Sequence, residues 1–206
     1  MTAATDTAPQ QTLASRDFIV SYPDALSAEV CRTIIDKFEA DRRKRASKTA
    51  LGTSGEGRTG AQLDMAGHPE WAELKKIVTD KTVECMHDYA KRFSSLEFIL
   101  RSEEVTLSPP VIERVEPGQG FEWHIDSGPL GTARRFLSAL TYLNDVDEGG
   151  KTEFPMQGAA LRPERGTIVM FPPFWLFPHR GAPPATATKY KMTAYFMVPD
   201  RAQFHL

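Results

Sequence analysis

A chain of 206 residues, 41% hydrophobic and 25% charged, is long enough to bury one core and has an ordinary globular composition. Its formal net charge of -2 gives no general field for nucleic acid or an anionic membrane. The one basic run, "RRKR" at 42 to 45, reads as a solvated helix end, and no apolar run approaches the ~18 residues of a membrane span. The first residues lack the basic-then-apolar pattern of a signal peptide. Cys31 and Cys85 have no CxxC spacing and read as buried free thiols, which points to a reducing compartment, the cytoplasm.

Residues 1 to 15, rich in Thr, Ala and Gln, are expected to form a disordered tail, and 16 to 206 a single domain. "DFIVSYP" (17 to 23) reads as a first short strand. Ser27 is an N-cap for a helix to about residue 41, with Val30, Ile34 and Phe38 as one apolar stripe. "KRASKTALGTSGEGRTG" (44 to 60) has no period and reads as a long loop, of a length that in a compact domain is a functional lid or disordered. A second helix is expected from about Pro69 to Phe93, its core stripe including Trp71, Leu74, Val78, Met86 and Tyr89.

From residue 98 the texture changes. "PPVIERV" (109 to 115), "FLSALTYL" (136 to 143), "TIVMF" (167 to 171) and "KMTAYFMV" (191 to 198) are β-prone runs separated by turn signals. The expected fold class is α+β: supporting helices over about 24 to 95, then a jelly-roll core over about 98 to 200.

Of the histidines at 68, 87, 124, 179 and 205, the first two lie at or on the second helix and the last at the chain end; these three carry no site signal. His124 and His179 lie beside turns of the β half, where the rim of a jelly roll falls. In "FEWHIDSGP" (121 to 129), extended backbone would aim His124 and Asp126 to one face and Ile125 to the other. Two neutral imidazoles and one carboxylate are the donor set suited to non-haem Fe(II), leaving octahedral positions for a bidentate co-substrate and dioxygen. A non-catalytic metal-binding β-barrel is the rival class, although a closed structural zinc site takes four protein ligands.

From about 111 to 197 the chain resembles the prolyl 4-hydroxylase-like branch of the iron- and 2-oxoglutarate-dependent dioxygenases. "GQGFEWHID" is similar to the family's G-x-x-F/Y-x-x-H-x-D, here Gly118, Phe121, His124 and Asp126. "LTYLNDVDEGGKTEFP", "LRPERGTIVMF" and "HRGAPPATATKY" follow in the family's order, the last supplying His179 and Lys189.

The resemblance implies a double-stranded β-helix (jelly-roll, cupin-like) core, with Fe(II) held by His124, Asp126 and His179. It implies 2-oxoglutarate and O2 as co-substrates, and an ascorbate requirement. The distal carboxylate of 2-oxoglutarate, carried into the barrel, needs a cation and hydrogen bonds; Lys189, Tyr142 and Thr193 are the implied partners. Lys191 shares the strand parity of Lys189 and stands as its alternative. Asp126 occupies the position that halogenating relatives keep small, so hydroxylation of an unactivated C–H bond is expected. Where relatives often have a tyrosine, three residues before Gly118, this chain has Val115. Trp123 and Trp175 are expected as a substrate wall, and Arg135 (or Arg134) as a partner for a substrate carboxylate. The substrate is a peptidyl prolyl residue or a small molecule such as a free amino acid; no nucleic-acid partner is expected, and oligomeric state is not legible.

Overall fold

The computed structural model describes residues 15–47, 59–102, 104–128 and 131–199. All but Ser15 of the expected tail, and residues 48–58 of the expected loop, lie outside the described residues. A 3-10 turn, Ser15–Phe18, leads into β1 (Val20–Tyr22), so only the second half of "DFIVSYP" is strand. In α1 (Ala28–Ala40), Ser27 Oγ accepts from the Val30 amide at 3.2 Å, and Cys31, Ile34 and Phe38 are buried. β2 (Arg45–Ala46) and β3 (Ala61–Asp64) flank the 48–58 segment, tied together by the Ser47 amide on Gly60 O. A 3-10 turn, Pro69–Trp71, opens α2 (Ala72–Arg92), and α3 (Ser94–Ser102) follows. The expected change to β structure at residue 98 is therefore too early. Leu96, Ile99 and Leu100 recur at helical spacing and pack on the core beneath α2, which keeps this stretch helical.

The remaining strands are β4 (Thr106–Leu107), β5 (Val111–Val115), β6 (Phe121–His124), β7 (Arg135–Tyr142), β8 (Thr152–Phe154), β9 (Ala159–Leu161), β10 (Ile168–Phe171), β11 (His179–Gly181) and β12 (Lys189–Met197). Two antiparallel sheets result: a major one in the order β1-β10-β7-β12-β5-β3-β2, with β4 also on β12, and a minor one in the order β6-β11-β8-β9. The chain is thus α+β with a jelly-roll core. β1, β2 and β3 come from the helical half and extend the major sheet, a contribution that the expected boundary at 98 left out.

Strict alternation assigns the two faces of the major sheet. Leu137 and Ala139 of β7, Ile168 and Met170 of β10 and Phe196 of β12 pack in one cluster with α2 and α3. Ile112 and Met192 pack with α1 and Trp71. Leu140, Tyr142, Val169 and Phe171 face the other way and meet Phe154 of the minor sheet. A sheet buried on both faces explains why β7 reads as a nearly unbroken buried run. The same parity turns Lys189, Lys191, Thr193 and Tyr195 of β12 inward, with Glu113 and Val115 of β5 beside them. Polar side chains occupy that inner face, and the site lies there.

Candidate active site

His124 and His179 are register partners across β6 and β11. The next pair is Phe121 with Gly181, so three steps along β6 match two along β11. This bulge exposes Glu122 and Trp123 while Phe121 and His124 both line the interior cavity. Asp126 follows the end of β6 with its side chain buried, and Ile125 between them is exposed.

The three side chains converge. His124 Nε2 lies 3.6 Å from Asp126 Oδ1, and His179 Nε2 lies 3.7 Å from Asp126 Oδ2. The imidazole centroids are 4.3 Å apart, and one donor atom from each residue falls within 4.8 Å of the others. A metal about 2.1 Å from each donor would hold its ligands about 3.0 to 3.4 Å apart, so the donors would draw together on an ion, the widest separation closing by up to about 1 to 2 Å. Each Nδ1 already faces a backbone carbonyl: His124 that of Glu122 at 2.7 Å, His179 that of Phe177 at 3.1 Å. An N–H at Nδ1 leaves the Nε2 lone pair pointing inward, the tautomer a metal ligand requires. Burial pushes the His179 pKa down to about 4, so the ring is neutral near pH 7. Burial alone would raise the Asp126 pKa, but the His179 and His124 imidazoles and the Ser138 hydroxyl hold it well below the usual carboxylate range. The donor set therefore fits a divalent cation: two imidazole nitrogens, one carboxylate, and no fourth such donor among the described residues.

A surrounding layer holds the carboxylate. Ser138 Oγ donates to Asp126 Oδ2 at 2.7 Å, and Tyr195 OH to Oδ1 at 3.2 Å. Arg135 Nη1 donates to the Asp126 carbonyl at 2.9 Å and its guanidinium lies 3.7 Å from the Tyr195 ring centroid. Arg135, expected as a contact for substrate, thus makes its described bonds to the residues behind the triad.

A partly open cavity runs from the triad between the sheets. Lys189, only 1% exposed, lines it, and its Nζ donates to Gly150 O at 2.5 Å. Gly149 and Gly150 turn that carbonyl inward at φ 71° and 64°; a Cβ on Gly149 would fall 2.4 Å from Pro183 O. Burial, with the charge of Lys191 added, pushes the Lys189 pKa down to about 7. Lys191 is different: it is ion-paired with the fully buried Glu113. Tyr142 stands behind the cavity wall, its hydroxyl donating at 2.7 Å to Thr152 Oγ1, and Thr152 lines the cavity itself. Thr193 also lines it, 3.2 Å from Lys191 Nζ. Val115, where a tyrosine is common in the resembled family, pairs with Lys189 and is apolar and buried.

Trp123 and Trp175 are exposed and do not line the cavity; Arg180 stacks over the Trp123 ring at 4.8 Å. Sequence reasoning passed over Thr152, Ser138, Tyr195 and Glu113. Strand parity from Lys189 reaches Tyr195, and Thr152 sits in the "GGKTEFP" turn already singled out.

Comparison with known proteins agrees with this geometry. The family described as the 2OG-Fe(II) oxygenase superfamily matches residues 111–197. Probable prolyl 4-hydroxylase 11 of Arabidopsis thaliana is 35% identical over 88 residues, 39% of this chain and 29% of that protein. Probable prolyl 4-hydroxylase 9 of the same plant is 24% identical over 192 residues, 83% of this chain and 62% of that protein. The chain thus spans less than two thirds of the length of either relative. Among solved structures, the viral collagen prolyl hydroxylase of Paramecium Bursaria Chlorella virus-1, in its 2OG complex, superposes with a TM-score of 0.68 at 18% identity, covering 88% of this chain and 97% of that one.

Proposed function

We propose that this chain, whose residues 111–197 match the 2OG-Fe(II) oxygenase superfamily, is a prolyl 4-hydroxylase-like dioxygenase. In this reading His124, Asp126 and His179 hold Fe(II), and Lys189 with the Tyr142–Thr152 pair receives the distal carboxylate of 2-oxoglutarate. Bound Fe(II), with 2-oxoglutarate and O2, supplies the oxidation that turns a substrate C–H into C–OH while 2-oxoglutarate becomes succinate and CO2.

The observation that carries the reading is one cavity with a three-donor metal cluster at one side and a buried lysine, bound to a carbonyl instead of a carboxylate, lining the same space. The protein's own part is positioning. The carbonyls of Glu122 and Phe177 fix the imidazole tautomers, Ser138 and Tyr195 orient the carboxylate, and Phe154 and Phe171 pack on His179 and keep water from that side. The helices and both sheets act as one domain, since the sheet whose inner face bears the lysines packs its outer face on α1 and α2.

A peptidyl prolyl residue is the proposed substrate, supported by the names of the curated relatives and by the exposed aromatic side chains of Trp123 and Trp175 near the two histidine segments. An ascorbate requirement belongs to the same reading. Cys31 and Cys85 are buried free thiols, their pKa values pushed up to about 11 mainly by burial, which supports a reducing, cytoplasmic setting. The test is substrate-dependent succinate release with Fe(II), 2-oxoglutarate and ascorbate, comparing proline-containing peptides with free proline and other amino acids. Stimulation by the peptides is the expected result. Stimulation by a free amino acid alone would move the substrate class to small metabolites, and no stimulation by either would oppose the reading.

A further inference from the structure

β12 sends two lysines into the cavity where a single distal carboxylate calls for one. Lys189 and Lys191 are alternate residues of the strand, both line the cavity, and they are 1% and 6% exposed. Lys191 is flanked in register by Glu113 on β5 and Tyr142 on β7. Its ammonium is ion-paired with Glu113, lies 3.2 Å from Thr193 Oγ1 and 4.5 Å from the centroid of the Phe121 ring.

A fully buried ion pair seldom stabilises a fold more than apolar side chains of the same size would, so its retention beside a cavity asks for another reason. Charge supplies one. With Lys189 protonated, two ammoniums and one carboxylate leave this part of the cavity with a single net positive charge, matched to a single carboxylate. Glu113 without Lys191 would place an uncompensated anion where an anion must bind. Val115, the next inward residue of β5, offers no polar atom, so on that side of the cavity Lys191 is the donor at hand.

We propose that Lys191 is a second cationic contact for the distal carboxylate of 2-oxoglutarate, with Glu113 as the residue that positions it. The proposal rests on the co-substrate reading given above. Lys189 and Lys191 then share the carboxylate, and Glu113 offsets part of the repulsion between the two ammoniums.

The test is anaerobic titration calorimetry of the Fe(II)-loaded protein with 2-oxoglutarate and with 2-oxopentanoate, the same oxo acid lacking the distal carboxylate. Lys191→Met/Glu113→Leu removes the pair without stranding a charge. Lys191→Gln/Glu113→Gln keeps a hydrogen-bonded pair in place should the apolar variant fail to fold. The expected result is a loss of 2-oxoglutarate affinity of roughly 10- to 100-fold, the range of one charge-assisted hydrogen bond, with 2-oxopentanoate binding unchanged. Affinity for 2-oxoglutarate within about twofold of the wild type would overturn the proposal, the pair then being core filling. Equal weakening of both ligands would also overturn it, because Lys191 would not act at the distal end. Failure of the wild type to bind either oxo acid would remove the co-substrate reading itself, a result distinct from both.

Discussion

His124 and His179 face each other as register partners of neighbouring antiparallel strands, and the bulge beside them brings Phe121 to the same interior. Asp126 completes the cluster from just beyond the strand end, so one loop-strand junction and one partner strand hold all three donors. Asp126→Ala is expected to remove tight Fe(II) binding and to bring succinate formation to background, read by metal titration and a turnover assay on the same preparation.

The hydroxyls on Asp126 make a graded version of that test. Ser138→Ala and Tyr195→Phe each delete one hydrogen bond to the carboxylate and leave the donors in place. Each is expected to weaken Fe(II) binding roughly 10-fold, the low end for residues that orient a metal ligand. An unchanged affinity in both would mean that the strands alone set the carboxylate.

Lys189 places function and stability in opposition. Its pKa in the folded chain is pushed down to about 7 from an ordinary value of 10.5, chiefly by burial. Between those two values the unfolded chain binds the proton and the folded chain does not, so stability rises with pH across that window and the penalty is complete below about pH 7. Lys189→Met is therefore expected to stabilise the ligand-free protein at pH 7 by about 1 to 3 kcal/mol, a few degrees in Tm. The same variant is expected to lose measurable 2-oxoglutarate affinity. A fall in Tm would show the bond to Gly150 to outweigh the burial of the charge.

Binding should also move a proton. A carboxylate beside Lys189 favours the ammonium, so 2-oxoglutarate entering at pH 8 is expected to draw up to roughly one proton from solution, and almost none at pH 6. Calorimetry in two buffers of different ionisation enthalpy reads this directly. Equal proton uptake at both pH values would contradict it.

Thr152 and Tyr142 form a pair that neither residue can leave without consequence. Thr152→Val keeps the shape and strands the fully buried Tyr142 hydroxyl, which is expected to destabilise the fold by about 1 to 3 kcal/mol. Adding Tyr142→Phe should recover part of that loss, because both members of the bond are then apolar. Denaturant unfolding of the two single variants and the double variant measures it.

Much of this was legible in the sequence because β structure has a simple period. Alternation along "KYKMTAYF" already turns Lys189, Lys191, Thr193 and Tyr195 to one face. It could not separate the two lysines, since the residue that distinguishes them, Glu113, lies on another strand 78 positions away. The β6 bulge was hidden for the opposite reason. Strict alternation sends Phe121 and His124 to opposite faces, and only the extra residue against β11 makes both line the cavity. The contacts of Arg135 with Asp126 and Tyr195 were not legible, because those partners come from beyond the ends of its own segment. The helix Ser94–Ser102 was missed at the junction, where a short amphipathic run adjoins strands.

Whether the triad and Lys189 form one iron and 2-oxoglutarate site is read by anaerobic addition of 2-oxoglutarate to the Fe(II)-loaded protein, followed in the visible spectrum. The expected result is a weak charge-transfer band that appears with both components, saturates at one equivalent of each, and is absent in His179→Ala. A protein that takes up Fe(II) yet gives no band at saturating 2-oxoglutarate would contradict it.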